Sequence, residues 1–167
     1  MDKMDLSSFG MDDLLLAALK AEVESRDLYA RLATRAKNAM LRDRLRFLAG
    51  EEEKHQAFIE ATYRREFPDA TPALPARTPV PLPEITFDAE EVPLSAVIEA
   101  AMRAEDAAAA FYRGLADRFA GDGATRDALL YLATMEVGHY RLLETEREHL
   151  LRYEDYAVSW PDVHVGP

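Results

Sequence analysis

Cysteine is absent from all 167 residues. Disulfides, thiolate metal sites and iron–sulfur clusters are therefore excluded. Long apolar runs are missing as well: nothing approaches the roughly 18 consecutive apolar residues of a membrane-crossing helix. Positive charge is in short supply, with 20 Lys and Arg against 31 Asp and Glu and a formal net charge of −11. That sign argues against nucleic acid, whose phosphates are met by Lys and Arg, and against docking on an anionic membrane surface. The N-terminal stretch MDKMDLSSFGMDD is acidic where a signal peptide is basic and then apolar, so a cytoplasmic protein is expected. What remains is 49% hydrophobic and 31% charged, the composition of a single globular domain large enough to bury a core.

Proline is almost confined to one place. Seven of the nine prolines lie between positions 68 and 93, so no helix continues there and an extended crossover over 67–92 is expected. On either side the apolar residues recur at helical spacing. Helices are expected at about 11–37, with Leu15, Ala18, Leu19, Leu32 and Ala33 on one face, and at about 40–66, with Leu41, Leu45, Leu48 and Ile59 on one face. A break near Lys37 and Asn38 makes these two an antiparallel hairpin. A second hairpin follows at about 93–120 and 124–152, opened by Pro93 and divided by Gly121-Asp122-Gly123. The tail, 153–167, holds Tyr153, Tyr156 and Trp160; it is expected to be irregular and to pack on the bundle or a partner.

The two hairpins repeat one another. Glu22, Tyr29, Glu52 and His55 in the first recur as Glu105, Tyr112, Glu136 and His139 in the second, displaced by 83 residues in the first helices and by 84 in the second. Arg42-Asp43 and Leu45 recur as Arg126-Asp127 and Leu129, and Leu48-Ala49 as Leu132-Ala133. The expected architecture is all-α: an antiparallel four-helix bundle of two duplicated hairpins joined by a long proline-rich crossover.

Four carboxylates and two imidazoles related by internal symmetry are the ligand set of two adjacent metal ions in a helical bundle. Residues three apart share a helix face, so each Glu-x-x-His presents a carboxylate and an imidazole together. Glu22 and Glu105, each alone on a facing helix, complete the set. Mixed nitrogen and oxygen donors suit divalent iron or manganese better than a thiolate-seeking metal. Four carboxylates also balance two divalent ions. Ala18, Ala49, Ala101 and Ala133, three or four residues before the four Glu positions, leave room for ions and a very small substrate. Tyr29 and Tyr112 are placed to hydrogen-bond the ligand carboxylates. A third Glu-x-x-His, Glu146 and His149, falls opposite Thr62 and Arg65 of the first half; without a symmetric counterpart it reads as a solvated surface pair. His164, in the tail, reads the same way.

At AEVESRDLY, LAGEEEKH, AEDAAAAFY and LATMEVGH the chain resembles the rubrerythrin-like branch of the ferritin-like superfamily, over nearly all of residues 11–152. The resemblance implies two iron ions (Fe2+/Fe3+), with Glu22 and His55 as terminal ligands of one, Glu105 and His139 of the other, and Glu52 and Glu136 as bridges. It further implies oxidation of the iron pair by hydrogen peroxide or O2 and assembly as a homodimer or higher homo-oligomer. Two departures stand out. The four-cysteine rubredoxin domain of classical rubrerythrins is missing, so an external electron donor is expected. The extra Glu that such proteins carry one turn after the third-helix ligand is here Ala108, leaving a symmetric six-ligand site. A ferroxidase or iron-handling role, and a bundle holding manganese or zinc without redox chemistry, are the alternatives.

Overall fold

The computed structural model describes residues 4–83 and 92–159, with 153–159 described as helix backbone only. Four helices run in order: α1 (Met11–Arg35), α2 (Ala39–Glu66), α3 (Leu94–Arg118) and α4 (Gly123–Ser159). Consecutive helices pair closely, α1 with α2 and α3 with α4, and the two hairpins close on each other as an antiparallel four-helix bundle. Among the described residues there is no strand and no cis peptide bond. No described helix is long and apolar enough to cross a membrane.

The second helix of each hairpin begins at a side chain that caps its free amide groups. Asn38 caps α2, its side chain accepting from Met40 N (2.8 Å) and Leu41 N (3.2 Å). Asp122 does the same for α4, accepting from Thr125 N at 3.2 Å and from the Thr125 hydroxyl at 2.6 Å. Asn38 and Asp122 are 84 residues apart, so the duplication extends to the caps. Asp12 and Asp13 sit in the first turn of α1, where the helix dipole favours negative charge. Pro93 lies just outside α3, one position earlier than a first-turn proline; its carbonyl accepts from Ala96 N and Val97 N.

At its end α4 corrects an expectation: it continues to Ser159 instead of stopping near 152. From His139 onward the first helix breaker is Pro161, and the aromatic residues at 153 and 156 are compatible with helix. Contacts of the tail, Trp160 and His164 included, lie outside the described residues.

The core falls into two clusters, one toward each end of the bundle. One is built from Leu14, Leu15 and Leu19 of α1, Ile59 of α2, Leu115 of α3 and Leu129 of α4. The other uses Leu28 and Leu32 of α1, Leu45 and Leu48 of α2, Ile98 of α3 and Leu143 of α4. The internal two-fold exchanges them, because α1 maps onto α3 and α2 onto α4. Residues 67–83 of the crossover carry no helix, but they are more than a spacer: Val80 is buried in the first cluster. The N-terminal segment packs against α3, where Met4 N donates to Ala110 O and Arg118 donates to the carbonyls of Leu6 and Phe9.

Candidate metal centre

Between the two apolar clusters sit six buried titratable side chains, one from each of α1 and α3 and two from each of α2 and α4. Glu22, Glu52, His55, Glu105, Glu136 and His139 are each no more than 3% exposed. The residue spacing produces this directly. In α2, Leu45, Leu48, Glu52, His55 and Ile59 follow one helical stripe, so the polar pair falls between leucines that face the core. Burying four carboxylates with two imidazoles is costly unless something compensates their charge.

The donor atoms form two groups. Glu22, Glu52, His55 and Glu136 each offer an atom within 4.8 Å of the others, and so do Glu52, Glu105, Glu136 and His139. Glu52 and Glu136 belong to both. Their oxygens divide accordingly: Glu52 places Oε2 3.1 Å from His55 Nδ1 and Oε1 3.1 Å from His139 Nδ1. Glu136 places Oε1 2.9 Å from His55 Nδ1 and Oε2 3.2 Å from His139 Nδ1. The outer carboxylates lie slightly farther away, Glu22 Oε2 3.5 Å from His55 and Glu105 Oε2 3.7 Å from His139. The two imidazoles stack with centroids 5.4 Å apart and ring planes 18° apart.

These atoms converge without satisfying one another. His55 Nδ1, His139 Nδ1, Glu52 Oε1 and Glu136 Oε1 are all buried and none has a well-formed hydrogen bond. Buried polar atoms normally have partners. Ligands about 2.1 Å from an octahedral ion stand about 3 Å apart, close to the spacing found here, so each donor group fits one metal ion, and Glu52 and Glu136 belong to both groups. Two divalent cations also balance the four carboxylates.

Without metal the buried groups shift one another's proton affinities. Burial holds Glu22 and Glu105 well above the ordinary carboxylate range, reinforced by the central Glu52 and Glu136 charges. Burial alone would lower His55, but the carboxylates of Glu136, Glu22 and Glu52 against its ring push it up to about 12. His139 moves the same way: burial is outweighed by Glu105, Glu136 and Glu52. Burial opposes ionisation of Glu52 and Glu136 too, and the two imidazoles nevertheless hold both below the ordinary range.

Both tyrosines reach this centre, each crossing to the other half. Tyr29 donates its hydroxyl to Glu105 Oε1, and Tyr112 donates to Glu22 Oε1. Helical side chains lean toward the N-terminus of their own helix. In a pair of antiparallel helices, a Tyr two turns past one Glu therefore meets the Glu opposite. Burial, and next the carboxylate each one faces, holds both phenols far above their ordinary value, so they remain hydrogen-bond donors.

Of the alanines beside the ligands, Ala18, Ala101 and Ala133 are buried and Ala49 is half-buried. The third Glu-x-x-His separates into two unlike residues. His149 is exposed, as expected of a surface pair. Glu146 is buried and forms an ion pair with Arg44 across the bundle, which corrects the reading of it as solvated. It lies two turns beyond His139, hence on the same inward stripe of α4. Sequence reasoning also missed Ser25, Leu82 and Pro83, which line a small cavity reaching Glu52 and Glu136. Nothing in their residue types marked them: Ser25 comes from α1, one turn past Glu22, and only the path of the crossover brings Leu82 and Pro83 there.

A family model for rubrerythrin matches residues 13–149. A solved structure of a hypothetical protein from Pyrococcus furiosus is similar at 33% identity and a TM-score of 0.76, covering 89% of this chain and 94% of that one. No curated protein matches. The bundle, the paired hairpins and the buried carboxylate–histidine cluster agree with the family match: this chain belongs to the rubrerythrin family.

Proposed function

We propose that this protein is a non-haem diiron oxidoreductase that reduces hydrogen peroxide or dioxygen with electrons from a separate donor. The observation that carries this reading is the sharing of Glu52 and Glu136 between two donor groups, which favours a close pair of ions over a single one. Glu22 and His55 would hold one iron, Glu105 and His139 the other, and Glu52 and Glu136 both. When bound, the ferrous pair would supply two electrons that, with two protons, convert one hydrogen peroxide to two waters. The chain's own residues do the rest. Tyr29 and Tyr112 fix the outer carboxylates. The apolar clusters on either side keep bulk water from the centre. These 167 residues hold no cysteine for an iron–sulfur or rubredoxin-type relay, which supports a separate donor in this reading.

The test is an anaerobic Fe2+ titration followed by addition of peroxide. About two irons per chain, and rapid peroxide loss in the wild type but not in Glu52→Ala, is the expected result. Equal rates in the two proteins end the catalytic claim. Tens of irons per chain point instead to storage. A diiron-loaded protein inert toward both oxidants leaves a metal-binding bundle without redox chemistry.

A further inference from the structure

The metal centre opens toward the surface at the seam between α1 and α3, whose backbones approach each other closely at few points. A cavity of about 20 Å³ lies there, with Glu52 and Glu136 among its walls. Both carboxylates carry a buried oxygen without a hydrogen-bond partner, so the cavity leads to atoms that still lack one. Ala21 and Ser25 of α1 and Ala104 and Ala108 of α3 form the sides. These are counterparts under the 83-residue displacement, so the mouth shares the two-fold symmetry of the site. Four small side chains in these places leave the gap that larger ones would fill.

The roof breaks that symmetry among the described residues: Leu82 and Pro83 of the crossover lie over the opening, and no described residue of the other half lines it in the same way. Leu82 is well fixed. Its amide donates to Val80 O at 2.9 Å, the Thr78 hydroxyl donates to the same oxygen at 3.1 Å, and Val80 is buried in the core. Pro81 and Pro83 on either side further restrict the backbone. A space of this volume holds about one water-sized molecule.

Building on the diiron reading, we propose that this seam is the oxidant's route to the metal pair and that Leu82 limits what passes. Hydrogen peroxide and dioxygen go through; hydroperoxides with a bulky organic group do not. Ala108 and Ser25 set the width, and Leu82 sets the height of the opening.

Two readouts test this, one of them without turnover. Co2+-loaded protein is mixed with azide, and binding is followed by visible absorbance in a stopped-flow instrument. Leu82→Ala is expected to bind azide several-fold faster than wild type, and Ala108→Leu about tenfold more slowly, with Co2+ content unchanged. Ser25→Leu, on the opposite wall, serves the same purpose should Ala108→Leu misfold. In the second readout, reduced iron-loaded protein meets hydrogen peroxide or cumene hydroperoxide in a single turnover. The wild type is expected to favour the small oxidant by about 100-fold, and Leu82→Ala to cut that preference by about tenfold through faster reaction with the bulky one. Azide rates within twofold across the variants, or azide binding to none of them, overturn the seam. Iron-loaded protein that reacts with neither hydroperoxide, while azide rates still follow the variants, overturns the redox reading and leaves the seam standing. A chain that takes up no Co2+ overturns both.

Discussion

The two halves of this protein are identical at the residues of the buried centre and only partly alike elsewhere. Glu22 and Glu105, Glu52 and Glu136, His55 and His139, and Tyr29 and Tyr112 are identical pairs with equivalent contacts. Two turns beyond each histidine the likeness ends. The first half has Thr62, whose hydroxyl donates to Phe58 O at 3.0 Å within its own helix. The second has Glu146, reaching across to Arg44, and the counterpart of Arg44 is Ala128. One end of the bundle is thus closed by a helix-local hydrogen bond and the other by an ion pair. A packing position can be filled in either way, whereas a shared ligand shell requires the same atoms from both sides.

The sharpest attack on this comparison removes one bridging carboxylate at a time. Because Glu52 and Glu136 hold equivalent places, Glu52→Ala and Glu136→Ala should do equal damage, each lowering metal content from two ions per chain to one or none. Removing one of only two shared ligands is expected to weaken binding by at least about 100-fold. Metal analysis after gel filtration decides it. A large loss in one variant and none in the other would show that the symmetry is only geometric.

Metal removal separates the two kinds of region by pH. In the metal-free protein, burial raises Glu22 and Glu105 above their ordinary 4.5, and surrounding carboxylates raise His55 from 6.5 to about 12. The native state then binds more protons than the unfolded chain, so metal-free stability falls as pH rises above those ordinary values. Glu52 and Glu136, held low, have the opposite sign, but their contribution is complete above about pH 5 and lost only in acid. Bound metal takes the place of the protons, so binding releases them and affinity grows with pH. The gap in Tm between Zn2+-loaded and metal-free protein should widen from about pH 6 to pH 9. A gap independent of pH would contradict a site whose imidazoles are protonated when empty.

Next in size come the tyrosines. Tyr29→Phe and Tyr112→Phe each take one hydrogen bond from an outer carboxylate, and losses of this kind typically cost 10–100-fold in metal affinity. Because the bonds cross between halves, Tyr29→Phe should weaken the ion held by Glu105, and Tyr112→Phe the ion held by Glu22. Sequential Co2+ titrations of the two variants, each combined with Glu22→Gln, distinguish crossed from local pairing. Tyr112→Phe adds little once Glu22 has been changed, while Tyr29→Phe keeps its full effect. Equal additional losses would rule out the crossing.

The ion pair should give way more gently, since Arg44 is partly exposed. Glu146→Ala is expected to destabilise by about 1–2 kcal/mol, more than Thr62→Ala at the other end. The double change Arg44→Ala with Glu146→Thr rebuilds the simpler end and should recover most of that loss. Urea denaturation of the four proteins would expose any failure of the exchange.

How far the residues alone reveal this molecule depends on whether a pattern is periodic. The helices follow from 3.6-residue spacing and the duplication from the 83- and 84-residue displacement, and the structure brings the six buried carboxyl and imidazole side chains together as those patterns imply. Glu146 is a case where symmetry misleads: it has no counterpart in the first half, yet it lies two turns beyond His139 on the inward stripe of α4. The crossing of Tyr29 and Tyr112 depends on the relative slide of α1 and α3, which no single helix encodes. Leu82 was out of reach for a different reason. A proline-rich segment has no period from which to infer what it covers.

The smallest expected effect concerns the N-terminal segment, which lies on α3. Gly114 permits that contact: a Cβ built there would come within 2.3 Å of Met4 O, where real side chains do not go. Its counterpart in α1 is Arg31, which is exposed. Gly114→Ala improves helix propensity by about 1 kcal/mol but displaces a buried strap that includes Leu6. The two effects oppose, so the net change in Tm should stay within about 4 °C. Protease cleavage near residues 4–10 should accelerate, while metal content remains that of the wild type. Unchanged cleavage would mean that the segment finds another seat on α3, and that Gly114 is not what distinguishes α3 from α1.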